Sequence, residues 1–138
     1  RFGSDGSTRS TAYAYLHDLE QANILRSVWG AGRNAPMLSK RKKLYQANTN
    51  SAWALCPAPP VGSLRETFFA SQLAYAHALH YLADGGDFVV DDRWLFEVGR
   101  PGKTGRQIVA HGDACLVLDD IEHGWGWRVP LWMFGFLY

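Results

Sequence analysis

Asp87 and Glu97 are the residues whose types and spacing could do chemistry in this chain. They sit on either arm of Gly86-Asp-Phe-Val-Val-Asp-Asp-Arg-Trp-Leu-Phe-Glu-Val98, which reads as a tight hairpin. Each lies five residues from Asp92, so folding about Asp92 sets the two acids opposite each other. Directly opposed side chains on antiparallel strands lie about 5 Å apart, and like charges there are destabilising. A divalent cation such as Mg²⁺, held between the carboxylates, is the functional answer. Such a cation generates hydroxide from bound water and takes up charge developing on a phosphoryl group. The structural answer is an acid pair solvated at a sheet edge, or Glu97 paired with Arg65, Arg100 or Arg106.

Other constellations carry weaker chemistry. Glu66 stands three residues after Ser63, and Ser63-Leu-Arg-Glu66 reads as a capping box, with Glu66 reaching back to the Ser63 amide. Gly102-Lys-Thr104 has the end of a phosphate-binding loop, but the first glycine of that motif falls on Glu97, and a carboxylate inside a phosphate cradle repels its ligand. No nucleotide is therefore expected on this chain. Lys40-Arg-Lys-Lys43 puts four cations side by side, where they could track a nucleic-acid backbone; Arg9, His17 and Gln21 would project from a preceding helix. The basic run has a bland reading too, as a solvated loop or a docking surface for another domain. The histidines, His17, His77, His80, His111 and His123, do not cluster, and core or surface roles suit them. Trp125 and Trp127 flank Gly126; base stacking is one use for them and packing onto a sheet the other.

The elements that must position these groups follow from periodicity. A helix is expected over residues 10–22, behind a polar, Gly-rich lead-in at 1–9, and Asn23 is a left-handed stop. Strands follow at 24–29 and 43–47, around a loop at 30–36. A short helix at 51–55, capped from 48–50, ends at Pro57. Residues 56–60, Cys-Pro-Ala-Pro-Pro, form a stiff connector and the internal boundary. A deeply buried helix is expected over 63–80, with apolar residues on more than one face. Strands follow near Tyr81, at 87–90 and at 94–98. The acid pair shares one hairpin face with Val89 and Leu95, while Phe88, Val90, Trp94 and Phe96 take the other. Both faces are largely apolar, so the sheet is covered on both sides. A short helix at 104–110 and a continuous apolar strand at 114–118 complete the order. The tail from Pro130 to Tyr138 is too apolar to hang free.

Bulk properties bound the answer. The chain has 138 residues, 47% of them hydrophobic, which suffices for one domain or two small ones. Residues 1–45 hold eight Lys/Arg against three Asp/Glu (net +5); residues 46–138 hold six against ten (net −4), giving +1 overall. A basic front on an acidic back suits a nucleic-acid-facing half joined to a half with its own acidic site. Cys56 and Cys115 lie far apart without metal-ligand spacing, which fits free thiols in a reducing cytoplasm. No apolar run approaches the ~18 residues of a membrane span. The chain begins with Arg1, and a piece of a longer protein is the expectation.

Six segments, taken in order, resemble one family. They are Tyr15-Leu-His-Asp-Leu-Glu-Gln-Ala-Asn-Ile24, Lys43-Leu-Tyr-Gln-Ala-Asn-Thr-Asn50, Leu64-Arg-Glu-Thr-Phe-Phe69, Gly86-Asp-Phe-Val-Val-Asp91, Phe96-Glu-Val-Gly99 and Pro130-Leu-Trp-Met-Phe-Gly-Phe-Leu-Tyr138. They are similar to the C-terminal region of prokaryotic AAA-type P-loop ATPases, in which a winged helix and a PD-(D/E)XK nuclease-like domain follow the nucleotide-binding domain. The resemblance implies an α/β, restriction-endonuclease-like αβββαβ core over 57–138, preceded by a partial winged-helix unit over 1–56, with the ATPase domain upstream. It also implies roles: Glu66 as helix acid, Asp87 as strand acid and Glu97 as second acid, with Asp87 and Glu97 as Mg²⁺ ligands. The motif lysine falls on Gly99, a departure, and Lys103 is the nearest substitute. Lys40, Arg41, Lys42, Lys43 and Arg9 become the nucleic-acid-binding residues, with DNA as the partner.

The sequence thus leads to a cytoplasmic accessory domain of a P-loop ATPase that binds or couples nucleic acid, with a nuclease site degenerate at Gly99. Two alternatives stay open. One is an active Mg²⁺-dependent nuclease using Asp87, Glu97 and Lys103. The other is a protein-interaction module whose aromatic tail docks on the ATPase domain or on a second copy of the chain.

Overall fold

The alternation of apolar residues along 87–99 resolves into a hairpin whose two faces belong to two different cores. The computed structural model describes residues 5–31, 42–82 and 85–137. In chain order these form α1 (Asp5–Gln21), β1 (Leu25–Gly30), β2 (Lys42–Gln46), α2 (Thr49–Leu55), α3 (Val61–Leu73), β3 (Leu79–Tyr81), β4 (Phe88–Val90), β5 (Trp94–Gly99), β6 (Ala114–Leu118), β7 (Arg128–Pro130) and a closing 3₁₀ helix, Leu131–Phe136. No helix among the described residues is long and apolar enough to cross a membrane.

The strands make one seven-stranded mixed sheet in the order β2-β1-β3-β4-β5-β6-β7. β1 pairs antiparallel with β2 and parallel with β3. β3, β4 and β5 form an antiparallel meander, and β5, β6 and β7 run parallel. The fold is therefore mixed α/β. The expected boundary at 56/57 falls between α2 and α3, and strands from either side of it share this sheet through Trp29↔His80 and Gly30↔Tyr81.

One face is covered by α3 and the 3₁₀ helix. Phe69, fully buried, meets Phe88, Phe96 and Phe134 with ring centroids 5.2, 5.2 and 4.8 Å away. Val28 and Tyr45 from β1 and β2 join the same cluster, so both halves of the chain contribute to one core. The opposite face carries a smaller cluster of Leu95, Ile108 and Ala114, with Leu82, Val89 and Trp127 packed around it. This is the expected division of the hairpin, with Val89 and Leu95 on one side and Phe88, Val90 and Phe96 on the other. The tail packs on its own domain, burying Leu131 and Phe134 and leaving Trp132 and Met133 exposed.

Three expectations need correction. The long helix stops at Leu73 instead of continuing to 80. The Ala78 amide donates to Asp91 Oδ1 (2.9 Å) and the Asp91 amide to the Ala78 carbonyl (2.9 Å), so long-range pairing takes this segment into the sheet. A short, mostly apolar stretch such as 75–82, broken only by His77 and His80, fits a helix or a strand equally well on pattern alone. The helix expected at 104–110, and with it the second α of the αβββαβ order, is absent: the described segment forms turns. Gly105 takes φ +65, a left-handed value, and only one i→i+4 bond forms there, from Val109 to Gly105. Gly105 weakens the interior of such a helix, and β-branched Ile108 and Val109 do not restore it. Finally, residues 5–9 belong to α1, where a polar lead-in was expected. Asn23 does stop that helix in the left-handed region, at φ 54.

Candidate active site

The β4–β5 hairpin is closed by a tight turn. Asp91 and Asp92 both adopt positive φ (53 and 56), and the Arg93 amide donates to the Val90 carbonyl at 3.1 Å. Two successive left-handed residues give the turn whose twist matches the strands, and Asp tolerates that region better than most residues. The register that follows, Val90↔Trp94, Val89↔Leu95 and Phe88↔Phe96, extends one step to Asp87 and Glu97. The Asp87 amide donates to the Phe96 carbonyl at 2.9 Å, and Asp87 Oδ2 accepts the Val98 amide at 2.8 Å. The carboxylate thus replaces a backbone acceptor just where the ladder ends.

Glu97 is only 5% exposed. Between the two acids stands Lys103. Its Nζ lies 3.2 Å from Asp87 Oδ2, 3.2 Å from Glu97 Oε1 and 2.7 Å from the Val98 carbonyl oxygen. An ammonium has three N–H donors, and here three oxygens converge on it. Glu97 Oε2 is buried and has no hydrogen-bond partner among the described residues. A buried carboxylate oxygen left without a partner is costly, and such an orphan calls for an explanation.

A tight turn delivers Lys103. The Lys103 amide donates to the Arg100 carbonyl at 3.0 Å across Pro101 and Gly102, with Pro101 presetting its φ. The aliphatic stem then runs back over Gly99. A Cβ at 99 would collide with Lys103 Cδ and lie 3.1 Å from its Cβ and Cγ. Glycine at 99 therefore makes room for a lysine arriving from four residues downstream. The turn is anchored beyond this point by Gly105, which packs against the Trp127 ring, and by fully buried Ile108.

Glu66 does not cap its helix. α3 begins at Val61 with Pro60 at the cap position and no side-chain cap, so Ser63 is already inside the helix and the capping box does not form. Glu66 Oε2 instead accepts the Tyr45 hydroxyl at 2.9 Å, joining α3 to β2. Burial, and then the Glu66 charge, push the Tyr45 hydroxyl well above the ordinary tyrosine range, with Asp87 adding to the effect. Tyr45 and Glu66 line a cavity of about 540 Å³ with Lys43, Cys56 and Ser63; Asp87, Glu97 and Lys103 are not part of that lining. Nor do three acidic, His or Cys side chains gather as a metal-binding group among the described residues. The structure brings together Asp87, Glu97 and Lys103 and leaves Glu66 beside Tyr45.

The arginines considered for Glu97 are occupied or exposed elsewhere. Arg65 pairs with Asp119 at 2.8 Å, and Arg100 and Arg106 are exposed. Of the basic run, Lys40 and Arg41 lie outside the described residues. Lys42 reaches Glu20 at 3.5 Å and sits 5.5 Å from the Trp29 ring centroid, and Lys43 sits 5.2 Å from that of Tyr81. Arg9, His17 and Gln21 are exposed on α1.

Sequence reasoning missed one member of the site and the partner of Glu66. The Val98 carbonyl carries no sequence signal, because every residue has one. Tyr45 finds Glu66 only through the tertiary fold, 21 positions away. Comparison with family models, with curated proteins and with solved structures gives no match.

Proposed function

We propose that Asp87, Glu97 and Lys103 form the centre of a divalent-cation-dependent phosphodiester hydrolase acting on nucleic acid, carried on a restriction-endonuclease-like frame. The observation that carries this reading is the buried Glu97 carboxylate. It faces Asp87 across two strands, has an orphaned oxygen, and shares a lysine with its partner. Charge of this kind buried at the end of a hairpin is expensive to maintain without a use.

The residues present fit a hard cation such as Mg²⁺. Asp87, Glu97 and the Val98 carbonyl supply oxygen donors of the type such ions prefer. When bound, the ion supplies a hydroxide nucleophile and takes up charge on the phosphoryl oxygens. Asp87 holds its orientation through the Val98 amide, and Leu95, Ile108 and Trp127 pack on the same sheet face. Lys103 provides the cation that positions a water and stabilises the phosphate, the role left vacant in the sequence at Gly99. Its arrival over Gly99 favours a working site over a degenerate one.

The frame draws support from the strand order. β3, β4, β5 and β6 are neighbours, pairing antiparallel, antiparallel and parallel, with Asp87 just before β4 and Glu97 within β5. The turns at 100–113 stand where such a frame would carry a helix. Arg9, Lys42 and Lys43, with Lys40 and Arg41, are the proposed backbone contacts, and an ATPase domain in the same parent protein is the proposed context.

The test is nicking of supercoiled plasmid with Mg²⁺ or Mn²⁺ against an EDTA control. Wild type should nick, while Asp87→Asn and Glu97→Gln should not. A wild-type protein that nicks with neither metal sinks the reading.

A further inference from the structure

The Lys103 ammonium does more than sit near the acids. Its contacts at 3.2, 3.2 and 2.7 Å are with Asp87 Oδ2, Glu97 Oε1 and the Val98 carbonyl oxygen. These are the oxygens that the proposed cation would need. A divalent ion of the hard class binds oxygens at about 2.0–2.6 Å, and it cannot share three of them with an ammonium that hydrogen-bonds two and ion-pairs with the third. We infer that Lys103 is an internal counter-ion that competes with the divalent cation for one set of oxygens, so that metal enters only when the lysine swings out. This inference rests on the proposed hydrolase reading for the identity of the competing ion.

The geometry lets the lysine leave. Its side chain is 31% exposed, and its stem lies over Gly99 with no side chain at that position to trap it. Its turn is secured at Arg100 and Gly105, away from Nζ, so the side chain can rotate without unfolding the segment. Displaced from the carboxylates, the ammonium stays within a side chain's length of them, where a phosphate held by the metal would accept it. One positive charge exchanges for another at the same oxygens. Exchange also accounts for the orphan Glu97 Oε2, since a monodentate ammonium uses one carboxylate oxygen and a divalent ion can use both.

The experiment is Mn²⁺ binding to the full chain without nucleic acid, read by electron paramagnetic resonance of free Mn²⁺ and by thermal unfolding. The variants are Lys103→Met, Lys103→Gln and the double variant Lys103→Met/Glu97→Gln. Lys103→Met should bind Mn²⁺ about tenfold or more tighter than wild type, within the roughly 5–150-fold range usual for coupled sites. The double variant should lose the gain. If Lys103→Met is too unstable alone, Mn²⁺ should restore its melting temperature, where Na⁺ at equal ionic strength does not, and Lys103→Gln should show the tighter binding. Equal or weaker Mn²⁺ affinity in the lysine variants overturns the inference, as does a gain that survives Glu97→Gln. Because nothing is cleaved in this assay, its outcome is separable from plasmid nicking. A wild type that fails to nick while Lys103→Met gains Mn²⁺ rejects the hydrolase and keeps the competition.

Discussion

Lys103 and Gly99 fit as a pair: the lysine stem occupies the space in which any side chain at 99 would stand, colliding first at Cδ.

Gly99→Ala should destabilise the chain by about 1–3 kcal/mol through overpacking. The backbone at 99 is ordinary strand, so the cost comes from the displaced lysine and from the buried Glu97 left without its cation. Urea unfolding of wild type, Gly99→Ala and Gly99→Ala/Lys103→Ala measures it. The second alanine should relieve the steric part, and a single variant as stable as wild type contradicts the packing described.

Lys103→Ala should lower plasmid nicking by about 10²–10³-fold, the usual worth of one preorganised group that stabilises developing charge. The loss should appear at saturating Mn²⁺, which separates the missing ammonium from changed metal affinity. Unaltered nicking removes Lys103 from the chemistry.

Asp87→Ala should cost about 1–3 kcal/mol, because the Val98 amide loses its acceptor in a half-buried place. Asp87→Asn retains an acceptor and should cost less. Both should abolish nicking, so stability and activity come apart in the asparagine variant. Equal stability for the two variants would show that the Val98 bond matters little.

Asp91 gives a pH signature. Its bond to His77 Nδ1 (2.7 Å), followed by the Ala78 amide, holds its carboxyl below the usual carboxylate range. A folded-state value below the unfolded one stabilises the protein above the unfolded value, and that stabilisation is lost as pH falls through the folded value. Wild type should therefore exceed Asp91→Asn in stability near pH 6, and the gap should close below about pH 4, where unfolded aspartate protonates. Asparagine tolerates the positive φ at this turn, so the comparison isolates charge. Urea midpoints across pH 3–6 provide the check, and a gap that persists into acid would assign the effect to shape.

Phe134→Ala should cost about 3–5 kcal/mol. Its ring meets Phe69 at 4.8 Å and Phe96 edge-on at 5.8 Å, so its loss opens the main core. Trp132→Ala, exposed on the same 3₁₀ helix, should cost far less. Denaturant unfolding of the two variants tests whether the tail belongs to this domain's core.

The sequence by itself determined what depends on near neighbours. The hairpin register followed from the spacing of Asp87 and Glu97 about Asp92, because a side-chain period of two and a tight turn leave little freedom. The Asn23 stop and the Asn48 cap were equally local. The apolar division of the hairpin faces was legible for the same reason. Tertiary structure decided the rest. The end of α3 depended on Asp91 capturing Ala78, a bond made across 13 positions that outweighs local helix preference. The joining of β1 to β3 and the parallel addition of β7 depended on crossovers that leave no periodic trace. Glu66 looked like a cap until the helix began two residues early and Tyr45 became its neighbour. Above all, the sequence put Gly99 two residues after Glu97 and Lys103 four residues further on. Only the folded turn showed the Lys103 ammonium standing between Asp87 and Glu97, because proximity at a site is set by where side chains end, not by where their backbones begin.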